Sequence, residues 1–219
     1  MSLYLNQKTK DTLISEYGFI FGDSTSEKDN WFQEISTRDQ FVKRYGFVLL
    51  TNDTVSELAN ICGSKKVAEV GSGLGYLSYR LTQAGCNVTA IDDRSWFGSS
   101  YNSTIWQLDL ELDASKKGVL DNYDIIILSW PPMNSFAYNV IKNMQPNQYL
   151  IYQGEAEGGC TANSKFFEYL ERKFILEDQR TEKLNKNHIN FEGIHDRWYM
   201  YYNHKSYRAE IDYHLSLAA

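Results

Sequence analysis

A buried-strand pattern, Val67–Val70, leads directly into a loop in which every second residue is glycine. Glycine adopts positive φ angles at little cost and has no Cβ, so such a loop lets a ligand approach the backbone closely. The next segment, 76–84, has apolar residues at helical spacing. This order of strand, glycine loop and helix is typical of α/β folds with a nucleotide-like ligand at the loop. The three glycines are Gly71, Gly73 and Gly75.

The spacing of the loop and the next acidic residue narrow the choice of ligand. Tyr76 stands where a dinucleotide-binding fingerprint requires its third glycine, which argues against a nicotinamide cofactor. A second strand pattern, Asn87–Asp92, ends in an acid. Ligands of parallel α/β sheets bind beyond the carboxyl ends of the strands, where a carboxylate accepts hydrogen bonds from ribose hydroxyls. We therefore expect Asp92 to bind the ribose of a nucleoside-containing cofactor.

The segment Lys66–Asp92 resembles the cofactor site of the class I S-adenosylmethionine-dependent methyltransferases. The resemblance implies that S-adenosylmethionine is the cofactor, that Glu69 supports its methionine end and that Asp92 binds its ribose. It also implies that the backbone of the loop passes under the cofactor. The loop residues concerned are Gly71, Ser72, Gly73 and Gly75.

The resemblance further implies an acid after the third strand that binds the amino group of adenine. We predict this strand at residues 105–109, and Asp109 at its end is the best match. Glu111 and Asp113 alternate with Asp109 along the chain and are the alternatives.

A fourth strand pattern, Asp124–Ser129, stops at Trp130, Pro131 and Pro132, because proline cannot donate a hydrogen bond to a sheet. Within the family, a prolyl pair at this place resembles the motif of the amino-methyltransferases of DNA, RNA and protein amides. The chain departs from that motif, since Trp130 replaces its polar residue and Met133 replaces its aromatic residue. We therefore expect the prolines to shape a pocket wall, and we assign Ser129 to the cofactor site.

The loop after the fifth strand, residues 154–161, is expected to touch the methyl acceptor. Glu155 is a candidate general base, although we favour a solvated loop carboxylate. Cys160 has no histidine near it in sequence, so we interpret it as a small packed residue rather than a thiolate. The candidate acceptor pocket consists of Tyr45, Trp130, Pro131, Pro132, Glu155 and Cys160.

A histidine and an aspartate, His195 and Asp196, stand side by side before the last strand pattern. Such a pair suggests a general base, but adjacent residues of an extended chain point to opposite sides. We therefore expect His195 to be a surface residue of a loop.

The resemblance implies an α/β, doubly wound fold with a mostly parallel, seven-stranded sheet. We expect its C-terminal antiparallel hairpin at 176–184 and 197–202, and a helical extension over residues 1–50 that covers the cofactor. Residues 51–219 are the methyltransferase-like part, and we expect both parts to form a single domain. Thr54 is predicted to cap the helix that precedes the first strand.

Composition limits the classes of function. The 219 residues are 42% hydrophobic, enough for one sizeable core, and the net charge of −6 disfavours non-specific nucleic-acid binding. The three cysteines and four histidines show no ligand spacing, so we expect no metal. No apolar run is long enough to span a membrane, so we expect a soluble, cytoplasmic protein without a membrane partner.

Three hypotheses about function remain open from the sequence. We favour methylation of a small molecule, because the chain is acidic and the tryptophan and prolines suggest a pocket wall. The second hypothesis is methylation of nucleic acid or protein at nitrogen. The third is a non-catalytic module that binds the cofactor.

Overall fold

The computed structural model describes residues 5–21, 27–95 and 104–204, and for residues 27–34 it describes the backbone alone. Within these residues one β-sheet is flanked by helices. Its strands are β1 (Lys66–Val70), β2 (Asn87–Asp92), β3 (Leu110–Glu111), β4 (Ile125–Ser129), β5 (Tyr149–Gly154), β6 (Ile175–Leu176) and β7 (Arg197–Tyr202). The helices are α1 (Gln7–Tyr17), α2 (Glu27–Tyr45), α3 (Asn52–Cys62), α4 (Tyr76–Gln83), α5 (Phe136–Asn143), α6 (Ser164–Lys173) and α7 (Asp178–Lys186).

The strand order of the sheet is β3-β2-β1-β4-β5-β7-β6. The first five strands are mutually parallel, whereas β7 lies antiparallel to both β5 and β6. The sheet starts at β1 in its centre, continues to β2 and then to β3 at one edge, and resumes with β4 on the other side of β1. This reversal creates a topological switch point between β1 and β4, the place where doubly wound sheets bind ligands. The predicted doubly wound, mostly parallel seven-stranded fold is confirmed.

The two faces of the sheet bury two separate apolar clusters. Alternate residues of one strand point to opposite faces, so Val67 joins one cluster and Ala68 joins the other. Every residue from Ile125 to Leu128 is fully buried, as expected for a central parallel strand covered by helices on both faces. The N-terminal helices α1 and α2 supply Leu13 and Phe41 to the cluster that contains Val67.

The third strand is not at residues 105–109, as predicted, but at Leu110–Glu111. The backbone N–H of Trp106 donates to the carbonyl of Leu74 at 2.8 Å, and its indole N–H donates to the carbonyl of Arg44 at 2.7 Å. These contacts draw the start of the segment across the glycine loop, and only the backbone of its last residue reaches the edge of β2, where the backbone N–H of Asp109 donates to the carbonyl of Ala90 at 3.0 Å.

The predicted strand at 176–184 is also wrong, because only Ile175–Leu176 pairs with β7 and the rest of the segment is helix α7. The segment contains few apolar residues. Its two buried residues, Thr181 and Leu184, are three positions apart and so share one face of a helix. The antiparallel pair is thus joined through a helix.

The N-cap of helix α3 is Thr51 rather than Thr54. The hydroxyl oxygen of Thr51 accepts a hydrogen bond from the backbone N–H of Thr54 at 3.0 Å, which is the N3 interaction of a capping residue.

Candidate functional site

A cavity of about 710 Å³ opens at the carboxyl ends of β1, β2 and β4. The glycine loop forms its floor, with Gly71, Gly73 and Gly75 all in the left-handed region at φ 65°, 57° and 69°. The backbone N–H groups of Gly71 and Ser72 both donate to the carbonyl of Ile91, at 2.8 and 3.1 Å. The loop is therefore held against β2 by its backbone, and the position of the cavity agrees with the switch point of the sheet.

Each of the three loop positions requires glycine for a different structural reason. A Cβ on Gly73 would meet no atom within 4 Å and would enter the cavity, which Gly73 lines. A Cβ on Gly71 would come within 3.0 Å of the ring of Phe136. A Cβ on Gly75 would overlap the backbone carbonyl of Gln107, and Gly75 does not line the cavity. Gly75, which was predicted to lie under the cofactor, is thus needed so that the loop can pack against the backbone of Gln107.

Glu69 lies at the end of β1, is buried and lines the cavity. Its Oε2 atom accepts hydrogen bonds from the backbone N–H and the hydroxyl of Ser78, at 2.9 and 2.5 Å. Burial raises the pKa of this carboxyl from 4.5 to about 7, against the lowering effect of the two hydrogen bonds from Ser78. Glu69 therefore fixes helix α4 to the sheet through Ser78.

The raised pKa predicts a pH-dependent effect of Glu69→Gln on stability. The native state holds the proton of Glu69 up to about pH 7 and the unfolded state only to about pH 4.5. The contribution of Glu69 to the free energy of unfolding therefore falls as pH rises through this window. We expect the free energy of unfolding of Glu69→Gln, relative to that of the wild type, to rise by up to roughly 3 kcal/mol between about pH 4 and about pH 8. Urea unfolding at both pH values measures this, and an equal difference at both would contradict the prediction.

Asp92 lies at the end of β2 and its carboxylate contacts the glycine loop. The Oδ2 atom accepts from the backbone N–H of Gly73 at 2.9 Å, and the Oδ1 atom accepts from that of Arg94 at 2.6 Å. Burial raises the pKa of Asp92 in spite of these two hydrogen bonds. Asp92 therefore lines the cavity beside the loop, where its carboxylate can also accept hydrogen bonds from a ligand.

The structure separates the three acids proposed for adenine. Asp109 does not line the cavity, because its Oδ2 atom accepts from the backbone N–H of Ala90 at 2.7 Å and so completes the edge of β2. Glu111 is exposed within β3. Asp113 lines the cavity, with its Oδ1 atom accepting from the backbone N–H of Ser115 at 2.9 Å.

The other end of the cavity is formed by the residues that follow β4. Ser129 and the segment of Trp130, Pro131 and Pro132 line this end, as does Cys160. Tyr45 lines the cavity beside the glycine loop instead, where its ring centroid is 4.8 Å from that of Tyr76 and 5.7 Å from that of Trp106. Trp130 has a positive φ of 49°, a conformation that costs a non-glycine residue about 1–2 kcal/mol. Strain of this kind persists where surrounding contacts fix the residue, and it is concentrated at functional sites.

A buried polar cluster behind the cavity fixes Trp130. Its indole N–H donates to Oδ2 of Asp196 at 3.3 Å, and its backbone N–H donates to the carbonyl of Gln153 at 2.8 Å. Asp196 is buried and also accepts from the side-chain amides of Gln153 and Asn190. Three N–H donors thus satisfy the buried Asp196 carboxylate, and the indole is held in one orientation.

The neighbouring histidines differ from each other in environment. His195 is exposed, and Asp196 points inward, as the alternation of an extended chain predicted. The buried ring of His188 accepts from the indole N–H of Trp198 at its Nδ1 atom, so its Nε2 atom carries the proton and donates to the carbonyl of Asp196 at 3.0 Å. His188 is therefore a member of the polar cluster, and its Nε2 atom also lies 3.6 Å from Oδ2 of Asp196.

Glu155 does not line the cavity, in contrast to its assignment to the acceptor pocket. Its carboxylate accepts from the backbone N–H groups of Cys160 at 2.8 Å and His195 at 3.1 Å, and the contact with Cys160 is the main reason that its pKa is lowered. Burial raises the pKa of Cys160, which favours the neutral thiol. The Glu155 carboxylate thus stabilises the loop to which Glu155 belongs.

Sequence reasoning missed several residues that line the cavity. Phe47 stacks on Trp130, with ring centroids 5.2 Å apart and an angle of 18° between the rings. The signal for Phe47 was weak, because a half-exposed aromatic after a helix has no periodic pattern. Other cavity residues without a sequence assignment include Asp93, Phe136 and Asn139.

Residues 5–21, 27–95 and 104–204 contain no group of three or more metal-ligating side chains. No helix within these ranges combines the length and the apolar character needed to cross a membrane.

Comparisons with known proteins give structural similarities only. No protein-family model matches the chain, and no curated protein matches it. Magnesium protoporphyrin IX methyltransferase from Synechocystis, with bound S-adenosylmethionine, is 15% identical over 92% of this chain and 99% of its own, with a TM-score of 0.45. A TehB-like S-adenosylmethionine-dependent methyltransferase from Corynebacterium glutamicum is 12% identical over 82% of this chain and 100% of its own, with a TM-score of 0.47.

The glycopeptide N-methyltransferase MtfA, crystallised with S-adenosylhomocysteine, is 16% identical over 51% of this chain, with a TM-score of 0.33. The matched region spans 56% of the length of MtfA. At these identities and TM-scores, the function of the chain has to follow from the chemistry of its own site.

Proposed function

We propose that the chain is an S-adenosylmethionine-dependent methyltransferase that acts on a small molecule. The observation that carries the proposal is the single cavity that runs from the glycine loop and Asp92 to Trp130 and the two prolines. The loop end has the features of a nucleoside site, and the other end has room and apolar surface for a second molecule. The two regions adjoin each other at the switch point of the sheet, where a methyl group can pass from one ligand to the other.

The residues at the loop end fit the cofactor. The buried hydroxyl of Ser72 has no hydrogen-bond partner among the described residues, and Ser72 lines the cavity. A buried hydroxyl without a partner costs free energy unless a ligand supplies one. Gly73 leaves open space where any other residue would place a Cβ. We assign Asp92 to the ribose and Asp113 to adenine, since both are carboxylates that line the cavity.

The residues of the chain mainly position the two reactants and exclude water from the cavity. When bound, S-adenosylmethionine supplies a methyl carbon that its sulfonium already makes electrophilic. Glu69 holds helix α4, and Asp92 holds the loop through the N–H of Gly73. Trp130, fixed by Asp196, forms the wall beside the acceptor. Alignment of two reactants in this way lowers the barrier without requiring further catalytic groups.

The cavity favours a small acceptor over nucleic acid. The acidic side chains that line it are Glu69, Asp92, Asp93 and Asp113, and none of the described lining residues is lysine, arginine or histidine. Nucleic acid is bound chiefly through positive charge that neutralises phosphates. The acidic lining therefore repels a polyanion.

The proposal predicts that Asp92→Ala weakens the binding of S-adenosylhomocysteine. We expect a loss of about 1–3 kcal/mol, because the ribose loses a charged acceptor and the N–H of Gly73 loses its partner. Isothermal titration calorimetry measures the change. Asp109→Ala is the matched control, since Asp109 lies outside the cavity and its removal should leave the affinity unchanged.

Two results would contradict the proposal at different points. Equal affinity of Asp92→Ala and the wild type would remove the cofactor assignment. A crystal structure with S-adenosylhomocysteine that leaves no space between its sulfur and Trp130 would favour the non-catalytic module instead.

A further inference from the structure

We propose that Cys62 and Cys86 are an oxidation site, a thiol pair that forms a disulfide in the presence of hydrogen peroxide. The two residues are 24 positions apart in the sequence, and neither of them lines the cavity. The inference is therefore independent of the proposed function.

The backbone brings the two cysteines together at the amino edge of the sheet. Cys62 is the last residue of helix α3, and its carbonyl accepts from the backbone N–H of Lys65 at 3.0 Å, so the chain turns directly into β1. Cys86 directly precedes β2. The first residues of the two strands, Lys66 and Asn87, are paired with each other. The end of α3 and the start of β2 therefore meet beside the same pair of residues.

The two thiols are neighbours in the apolar cluster that also contains Val67. Both cysteines are free and buried, Cys62 completely and Cys86 with 8% of its surface exposed. The thiol of Cys62 donates a hydrogen bond to the sulfur of Cys86. Sulfur atoms that are already in contact have only a short distance to close, so rotation of the side chains can bring them to bonding distance.

The environments of the two thiols give them different roles. Burial raises the pKa of Cys62 to about 12, and the neighbouring Cys86 adds to the increase. Burial also raises the pKa of Cys86, whereas the hydrogen bond from Cys62 lowers it. Cys86 is thus the more accessible thiol and the one whose thiolate the pair stabilises. Since the thiolate is the nucleophile, we expect Cys86 to react first and Cys62 to complete the disulfide.

Hydrogen peroxide is the oxidant in both steps of this reaction. The Cys86 thiolate attacks one oxygen of the peroxide, a bond between sulfur and oxygen forms, and the bond between the oxygens breaks. The released hydroxide takes up the proton that Cys86 has lost. The sulfur of Cys62 then attacks the sulfur of Cys86, the disulfide bond forms, and the hydroxyl of the sulfenic acid leaves as water with the proton of Cys62. Two thiols are oxidised by two electrons in total, and one peroxide is reduced to two waters.

The disulfide would cross-link the segment that carries the glycine loop. Residues 62–86 contain β1, the whole loop and helix α4. A cross-link that closes a loop of this length restricts the unfolded chain and so stabilises the folded one. We therefore expect the oxidised protein to melt roughly 5–10 °C above the reduced protein.

Peptide mapping of the Cys160→Ser variant tests the inference, because this substitution removes the exposed third thiol. The folded protein is treated with hydrogen peroxide, then unfolded in the presence of N-ethylmaleimide and digested with trypsin. We expect a cross-linked species that joins peptides 45–65 and 81–94 and that separates on reduction. The matched controls are Cys62→Ser and Cys86→Ser in the same background, which should show neither the cross-link nor a rise in melting temperature after peroxide treatment.

Three results would overturn the inference. The first is peroxide-treated protein in which N-ethylmaleimide still labels both thiols. The second is oxidation of the thiols to sulfinic acids without a cross-link between the two peptides. The third is a cross-link that forms only when the protein is unfolded before peroxide is added, because the folded structure would then not bring the two sulfur atoms together.

Discussion

Gly75→Ala is expected to lower the free energy of unfolding by about 3–5 kcal/mol, although Gly75 does not line the cavity. The residue has φ 69°, which costs alanine about 1–2 kcal/mol. The added Cβ would also overlap the backbone carbonyl of Gln107, which cannot rotate away. The adjacent Trp106 fixes this segment by hydrogen bonds to Leu74 and Arg44, so the strain has no easy outlet. Urea unfolding followed by circular dichroism measures the loss.

Gly73→Ala is the matched control for stability. Gly73 has φ 57°, close to that of Gly75, but its Cβ would meet nothing within 4 Å. We expect only the conformational cost of about 1–2 kcal/mol. Equal losses for both variants would mean that the contact with Gln107 carries no energy.

Gly73→Leu is expected to weaken binding of S-adenosylhomocysteine by at least about 100-fold, or roughly 3 kcal/mol. Its side chain would project from the loop into the cavity where Gly73 now leaves open space. We expect the fold to survive, since the Cβ of residue 73 would meet no atom within 4 Å. Calorimetry on protein with an intact circular dichroism spectrum is the appropriate measurement.

Gly85→Leu provides the comparison for this loss of binding. Gly85 also has a positive φ, 87°, and open space around its Cβ, but it follows helix α4 and does not line the cavity. The two variants therefore share the backbone cost and differ in what the leucine occupies. Binding by Gly73→Leu at the affinity of Gly85→Leu would refute the placement of the ligand on the loop.

Local patterns in the sequence predicted the strands and the helix around the glycine loop well. The order of β1, the loop, α4 and β2 depends on residues that are close in the chain, and Asp92 follows directly from that order. The signal for helix α7 was also present, with Asp178 in its first turn and Lys183 and Lys186 in its last turn. These end signals indicate a helix, which is why the prediction of a strand over 176–184 is wrong.

The choice between Asp109 and Asp113 could not be made from the sequence. It depends on where the third strand begins, and that is decided by the contact of Trp106 with Leu74 across the glycine loop. The acceptor end was still less predictable. Asp196 orients Trp130 across 66 positions of the chain, a contact that no local pattern indicates.

This long contact has a consequence for the order in which the protein matures. A nascent chain that has emerged through β5 contains all the residues assigned to the cofactor and the whole Trp130 segment. Asp196 is synthesised later and reaches Trp130 only when β7 inserts beside β5. Contacts between such distant residues form late in folding, because the loop between them has to close first. A truncated or half-made chain therefore keeps the elements that we propose to bind a nucleoside but lacks the contact with Asp196 that orients the indole of Trp130.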